Sequence, residues 1–283
     1  MRSGGAWRRI APPRPMQGVR AGLIALDFLA QWRKSYFRRY EDIVKRKQSE
    51  DPLDVRISTQ PDDTTCGITC LHAVYSFYEK SPPPIGDLAR EVQFLKEGGT
   101  LAVMLANHAL SRGYRATIFT YNLKIFDPTW FQKGIDISAK LQAQAKIKRS
   151  HSKIQQATPQ YLKFLEAGGR LRFQNLSASL LRSIFNRRLP IITGLSATYL
   201  NGSMRERADD ADTVVDDDVG GDPSGHFVVL SGYDRSGRIV VKDPYPLHPG
   251  MKDNTYTVGV GRLINAIMLG IVTFDANLLI LEK

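Results

Sequence analysis

At 283 residues the chain suits one large domain, or one domain with an accessory segment. Its 42% apolar and 24% charged residues are ordinary for a soluble globular protein, which excludes a fibre, a disulfide scaffold and a disordered chain. The formal net charge of +11 is unevenly spread: residues 1–50 carry twelve Lys or Arg against four Asp or Glu, so the rest of the chain holds only +3.

Residues 1–22 read as a disordered leader. The first 26 residues contain five Arg and no acid. That pattern suits an organellar transit peptide, or an over-long start with Met16 as the initiator. Pro12, Pro13 and Pro15 favour the second reading, because they would interrupt an amphipathic targeting helix. Residues 23–50 read as a basic N-terminal helix, with Leu26, Leu29, Trp32, Tyr36, Phe37, Tyr40 and Val44 at helical spacing and Arg and Lys on the other faces. This helix either docks on the core or makes a weak contact with an anionic membrane or a partner. A patch that reads phosphates belongs on the folded surface that does the reading, so no nucleic-acid partner is expected. The apolar runs 21–32 and 264–274 are too short to span a bilayer, so no transmembrane segment is expected.

Residues 51–283 read as the main domain. Residues 51–60 look like a linker with a short strand, closed by Pro61. Helices are expected from Cys66 to about Lys80, where Pro82, Pro83 and Pro84 stop the chain, and then over 85–93 and 101–112. A strand is expected over 115–121. The span from about 127 to 188 reads as a mainly helical insertion, and strands follow at 190–195, 227–233, 238–243 and 278–281. The loop 201–224 is acidic, with Asp209, Asp210, Asp212, Asp216, Asp217, Asp218 and Asp222. It reads as a solvated loop or as a lid that favours basic peptides. Helices first and strands later give an α+β class.

Two segments carry chemistry. In Gln60-Pro61-Asp62-Asp63-Thr64-Thr65-Cys66-Gly67, the thiol sits where a loop enters an apolar helix. The positive end of the helix dipole there favours thiolate. A thiolate attacking a carbonyl needs donors for the oxyanion, and the Cys66 N–H and the Gln60 amide are candidates. Gly67 would let a substrate carbonyl approach the backbone.

The second segment runs from Gly225-His226 through Asp234-Arg235-Ser236-Gly237 to Asp243-Pro244, two apolar runs about a hairpin turn. If Tyr233 pairs with Arg238, Asp243 lies opposite Val228 on the face of His226. A two-residue loop at Ser236-Gly237 puts it opposite Leu230, on the same face. An odd loop, or a bulge, would separate imidazole from carboxylate.

Cys66 and Cys70 are the only cysteines, and two thiols in a chain this size suggest a reducing compartment. Their spacing supplies half a zinc site at most. His72, His108, His151 and His248 are scattered, so no metal and no cofactor are expected.

Gln60, Cys66-Gly67, Gly225-His226, Gly232-Tyr233 and Asp243-Pro244 together resemble the papain superfamily. They are most similar to the bacteriocin-processing, double-glycine leader peptidases and their stand-alone relatives. The chain departs from that pattern at Thr65 and Ile68, and it carries no phosphate-binding loop of an attached transporter domain. The resemblance implies a papain-like α+β fold, a helical first half packed on an antiparallel sheet. It implies Cys66 as nucleophile, His226 as base and acid, Asp243 as orienter and Gln60 as oxyanion donor, with Cys70 a small core residue. The reaction implied is cleavage of a peptide bond in a peptide or protein, in a bacterial cytoplasm. Acyl or peptidyl transfer on the same triad and a silent papain-like binding scaffold are the alternatives.

Overall fold

The computed structural model describes residues 51–283, apart from 97, 210–212 and 247–253. The leader and basic helix expected over residues 1–50 lie outside the described residues. Cys66 opens the first described helix, α1 (Cys66–Tyr78), which is so apolar that eight of its residues, Gly67 to Leu71 and Ala73 to Tyr75, are buried. The proline run ends it, and Pro84 caps α2 (Ile85–Glu91). Then come α3 (Ala102–Ser111), β1 (Arg115–Thr120), α4 (Ile137–Ile147) and α5 (Ser152–Glu166). The Asp136 carboxylate caps α4 by accepting the Ala139 N–H at 3.1 Å.

The second half alternates strands with short helices. It comprises β2 (Arg170–Arg172), α6 (Ala178–Phe185), β3 (Ile191–Ser196), α7 (Ala197–Asn201), β4 (Glu206–Ala208) and β5 (Val214–Asp216). After these follow β6 (Gly225–Tyr233), β7 (Ile239–Lys242), β8 (Thr255–Val258), α8 (Val260–Leu269) and β9 (Asn277–Glu282). Seven strands form one sheet in the order β2-β1-β9-β3-β6-β7-β8, antiparallel except for β1 beside β2. The architecture is α+β, as read from the sequence.

Alternation along the central strands divides the core in two. Phe227 and Val229 on one face pack with α1, α3 and α5, whereas Val228 and Leu230 on the other pack with α6 and α8. Helices therefore cover both faces of the sheet, and the helix-first half covers only one of them. Residues 51–60 form no strand. Pro52 has no N–H to give a ladder, and the segment is held instead by the Leu53 N–H on Ser231 O at 2.7 Å, with Leu53 and Val55 buried.

That contact falls on an irregularity that decides the register of the β6–β7 hairpin. Tyr233 pairs with Ile239 and Gly232 with Val240, which leaves five residues, 234–238, in the loop. An odd loop alone would turn Asp243 away from His226. The register then shifts between Leu230 and Gly232, so that Leu230 pairs with Val241 and Val229 with Lys242. The bulge at Ser231 cancels the odd loop, and Asp243 falls opposite Val228, on the face of His226. Gly232 takes φ +136° beside Pro52, a conformation that L side chains rarely adopt.

Gly67 has a packing role. A Cβ there would lie 2.6 Å from Thr100 Cγ2 and 3.3 Å from both Leu105 and Phe227. The missing side chain lets the first turn of α1 approach β6. Gly67→Ala should therefore lower the unfolding free energy by about 1–3 kcal/mol in urea titrations, the usual cost of overpacking a filled core. A change within about 0.5 kcal/mol, the range of a neutral surface substitution, would contradict this packing.

Candidate active site

Thr65 stands at the N-cap of α1 but makes no capping hydrogen bond with its side chain. Its hydroxyl is turned to the preceding loop, donating to Asp62 O at 3.1 Å. The first-turn N–H groups and the positive end of the helix are thus left to whatever lies at Cys66, which is half-buried. One turn along, the buried Cys70 thiol donates to Phe227 O at 3.3 Å, the carbonyl of the residue after His226. Burial, with the Cys66 and Asp243 charges, pushes the Cys70 thiol well up, so it stays protonated as that donor. Cys70 pins the thiol-bearing helix to the imidazole-bearing strand.

His226 is the second residue of β6 and is buried. Its Nε2 lies 2.7 Å from Asp243 Oδ1, and Cys66 acts on the same ring. Burial works against the charged ring. The hydrogen bonds to Asp243 and Cys66, and the charges on both, outweigh it and push the imidazole up to about 10. The Tyr245 ring stands perpendicular to the imidazole at 6.1 Å between centroids.

Asp243 is also buried, which alone would raise its carboxyl. Hydrogen bonding and attraction to His226, the Tyr245 N–H at 2.9 Å on Oδ1 and the Tyr256 hydroxyl at 2.8 Å on Oδ2 hold it below the usual carboxylate range. Its backbone is fixed from the residue before β8, since Asp243 N donates to Asn254 O at 2.9 Å and Asn254 Nδ2 to Asp243 O at 2.8 Å.

Gln60 is buried beside the residue that follows this carboxylate, its N–H donating to Pro244 O at 2.7 Å. Its Nε2 donates to Asp62 O at 2.8 Å, and its Oε1 is buried without a hydrogen-bond partner. Of the four residues singled out in the sequence, Asp243 bonds His226, Cys66 acts on the same ring, and Gln60 reaches them through its backbone N–H on Pro244 O.

Tyr245 and Tyr256 escaped the sequence reading. Tyr256 lies in Thr255-Tyr256-Thr257-Val258, whose alternation after a polar loop is a strand signal, and pairing β8 with β7 brings its hydroxyl under Asp243. The acidic loop is partly self-neutralised. Asp217 accepts from Arg207 Nε at 2.7 Å and from the Gly220 and Val219 N–H groups, which hold it at about 2. Glu206 is raised by burial and by Asp216, and it feels the charges of Asp63 and His226, so β4 lies within electrostatic reach of the imidazole.

A family model described as the Peptidase_C39-like family matches residues 52–263. The chain belongs to the Peptidase_C39-like family. The match spans Gln60, Cys66, His226 and Asp243, and it makes this a papain-like cysteine peptidase fold. Among solved structures the chain is similar to a Bacillus anthracis protein assigned as a C39-like peptidase. The identity is 14% and the TM-score 0.44, covering 83% of this chain and 98% of that one. No curated protein matches.

A carboxyl held low in the folded state contributes stability that is present above its unfolded value, about 3.9, and is lost as pH falls through the folded value. Tyr256→Phe removes one donor and moves that folded value up. The variant should lose about 1.5–3 kcal/mol at neutral pH, as for a hydrogen bond to a charged group, and the difference should shrink below about pH 4. Urea titrations at both pH values measure it. An equal loss at both would mean that the hydroxyl does not act on the carboxylate.

Proposed function

We propose that this member of the C39-like family is a cysteine peptidase or amidase that cleaves a peptide bond through a thioester. What carries the reading is a single buried imidazole that holds a buried carboxylate on Nε2 and is acted on by a thiol at a helix N-terminus. Cys66 is the nucleophile, His226 the general base and acid, Asp243 the orienter and Gln60 the oxyanion donor.

The Cys66 proton resides on His226, and the thiolate attacks the amide carbonyl carbon. A C–S bond forms while the C–O π pair moves onto oxygen. In this reading the Cys66 N–H and the Gln60 Nε2 amide, whose other N–H is given to Asp62 O, are the oxyanion donors. Collapse breaks the C–N bond, and His226 gives its proton to the departing amine. The neutral imidazole then takes a proton from water as the oxygen attacks the thioester. The acid leaves and the thiolate–imidazolium pair returns. Asp243 keeps its charge throughout and holds the ring in the tautomer that leaves Nδ1 for sulphur. The substrate is a peptide or protein segment, and two unpaired thiols suit a reducing cytoplasm.

Incubation with a mixed peptide library, read by mass spectrometry, tests this. Wild type should release new termini, with Cys66→Ala and His226→Ala slower by at least ~10³-fold and Gln60→Ala by ~10²–10³-fold. Cleavage that survives Cys66→Ala would refute the thioester route. Products that carry an added amine in place of a new carboxyl terminus would make the reaction a transfer.

A further inference from the structure

One buried carboxyl near the imidazole has no part in this chemistry. Asp275 follows the short turn Gly270–Thr273, and its two neighbours, Phe274 and Ala276, both adopt left-handed backbone at φ +69° and +53°. Its N–H donates to Gly270 O at 2.9 Å, and its Oδ2 accepts the Thr273 hydroxyl at 2.8 Å. Two non-glycine residues in that region within three positions are costly, and they hold one side chain in one place.

That place is the start of the strand bearing His226. A Cβ at Gly194 would lie 2.7 Å from Asp275 Oδ1, and a Cβ at Gly225 would lie 2.5 Å from Oδ2. In the β3–β6 register Gly194 faces Phe227 and Ser196 faces Gly225, so the two glycines are diagonal neighbours on one face. The carboxyl fills the notch where their side chains would be. An aliphatic side chain could fill it without the cost of burying a carboxyl with a single hydroxyl donor. His226 is the next residue after Gly225, and Asp275 reaches it by charge and not by hydrogen bond.

Asp275 is faced by Lys153 and Tyr161 from α5, Thr273 from its own turn and His226 from β6. Burial pushes the carboxyl up to about 7, against the opposing pull of Thr273, Lys153 and His226. His226 in turn faces Cys66 from α1, Asp243 beyond β7 and Glu206 from β4.

We propose that Asp275 is a positioning residue that wedges the start of β6 in place and whose negative charge favours the imidazolium form of His226. The proposal rests on the reading of His226 as the base. It means that ionisation of Asp275 adjusts the ion pair from the turn before β9.

The His226 ring protons, followed by NMR in the full chain from about pH 5 to about pH 11, test it in wild type and Asp275→Asn. Asn keeps the shape of the wedge and removes its charge, so a purely structural role would leave the titration unmoved. Wild type should show a main midpoint far above the ordinary imidazole range and a smaller inflection near neutral pH. Asp275→Asn should lose the inflection and lower the main midpoint by at least ~0.5 pH unit. An unmoved midpoint in Asp275→Asn overturns the proposal while leaving the base reading intact. If that variant does not fold, the wild-type titration decides, and absence of the neutral inflection overturns the proposal. A wild-type midpoint in the ordinary imidazole range would overturn the base reading and this proposal together.

Discussion

The 2.7 Å hydrogen bond between His226 Nε2 and Asp243 Oδ1 exists only while two antiparallel strands keep one register. A slip by one residue would carry the carboxylate to the far face of the sheet. The chain holds the register with two compensating irregularities, a five-residue loop and a bulge at Ser231, and neither would suffice alone. The bulge is itself secured from outside the hairpin, by the Leu53 N–H on the Ser231 carbonyl and by Pro52 against Gly232. The segment leading into the Gln60 loop thus stabilises the geometry on which the imidazole depends.

Around that bond the structure is built to keep charge where water is scarce. A buried carboxylate would be costly without partners, and Asp243 has the imidazole, a backbone N–H and the Tyr256 hydroxyl. Hydrogen bonding and charge from its partners push the imidazole up against its burial. The thiol is brought to it by a helix whose N-cap side chain is turned away, docked through Gly67 packing and the Cys70 hydrogen bond to Phe227 O. The helix and the sheet meet where each supplies what the other's reactive group lacks.

Residue order made Gln60, Cys66, His226 and Asp243 legible, because a thiol at a helix start and an imidazole on a hairpin with a carboxylate are local patterns. Even there the hairpin count left Asp243 opposite either Val228 or Leu230 and took an odd loop or a bulge as fatal, whereas the two occur together and cancel. Tyr256 was missed although its strand signal was there, because only the β7–β8 pairing sets it under Asp243, and Asp275 was out of reach because its neighbours are distant in sequence. Nothing local to Asp275 says that Gly194 and Gly225 will lie diagonally across two strands to receive it. Gly67 was read as leaving room for substrate, and only the packing of Thr100 into its empty position reveals the other use of a missing side chain. Residues 264–274, seen in sequence as one apolar run, divide into α8 and the turn that sets Asp275, because α8 gives way to the 3-10 turn at Gly270.

The chemistry proposed for this site requires Cys66 and His226 to share a proton as an ion pair. The direct measurement is the rate of Cys66 alkylation by iodoacetamide from about pH 4 to about pH 9, by peptide mass spectrometry, in wild type and His226→Ala. A paired thiolate reacts well below the ordinary thiol value of about 8.5, so wild type should label rapidly under acidic conditions and the variant should not. A single transition near 8.5 in both proteins would contradict the account and leave the fold as a binding scaffold.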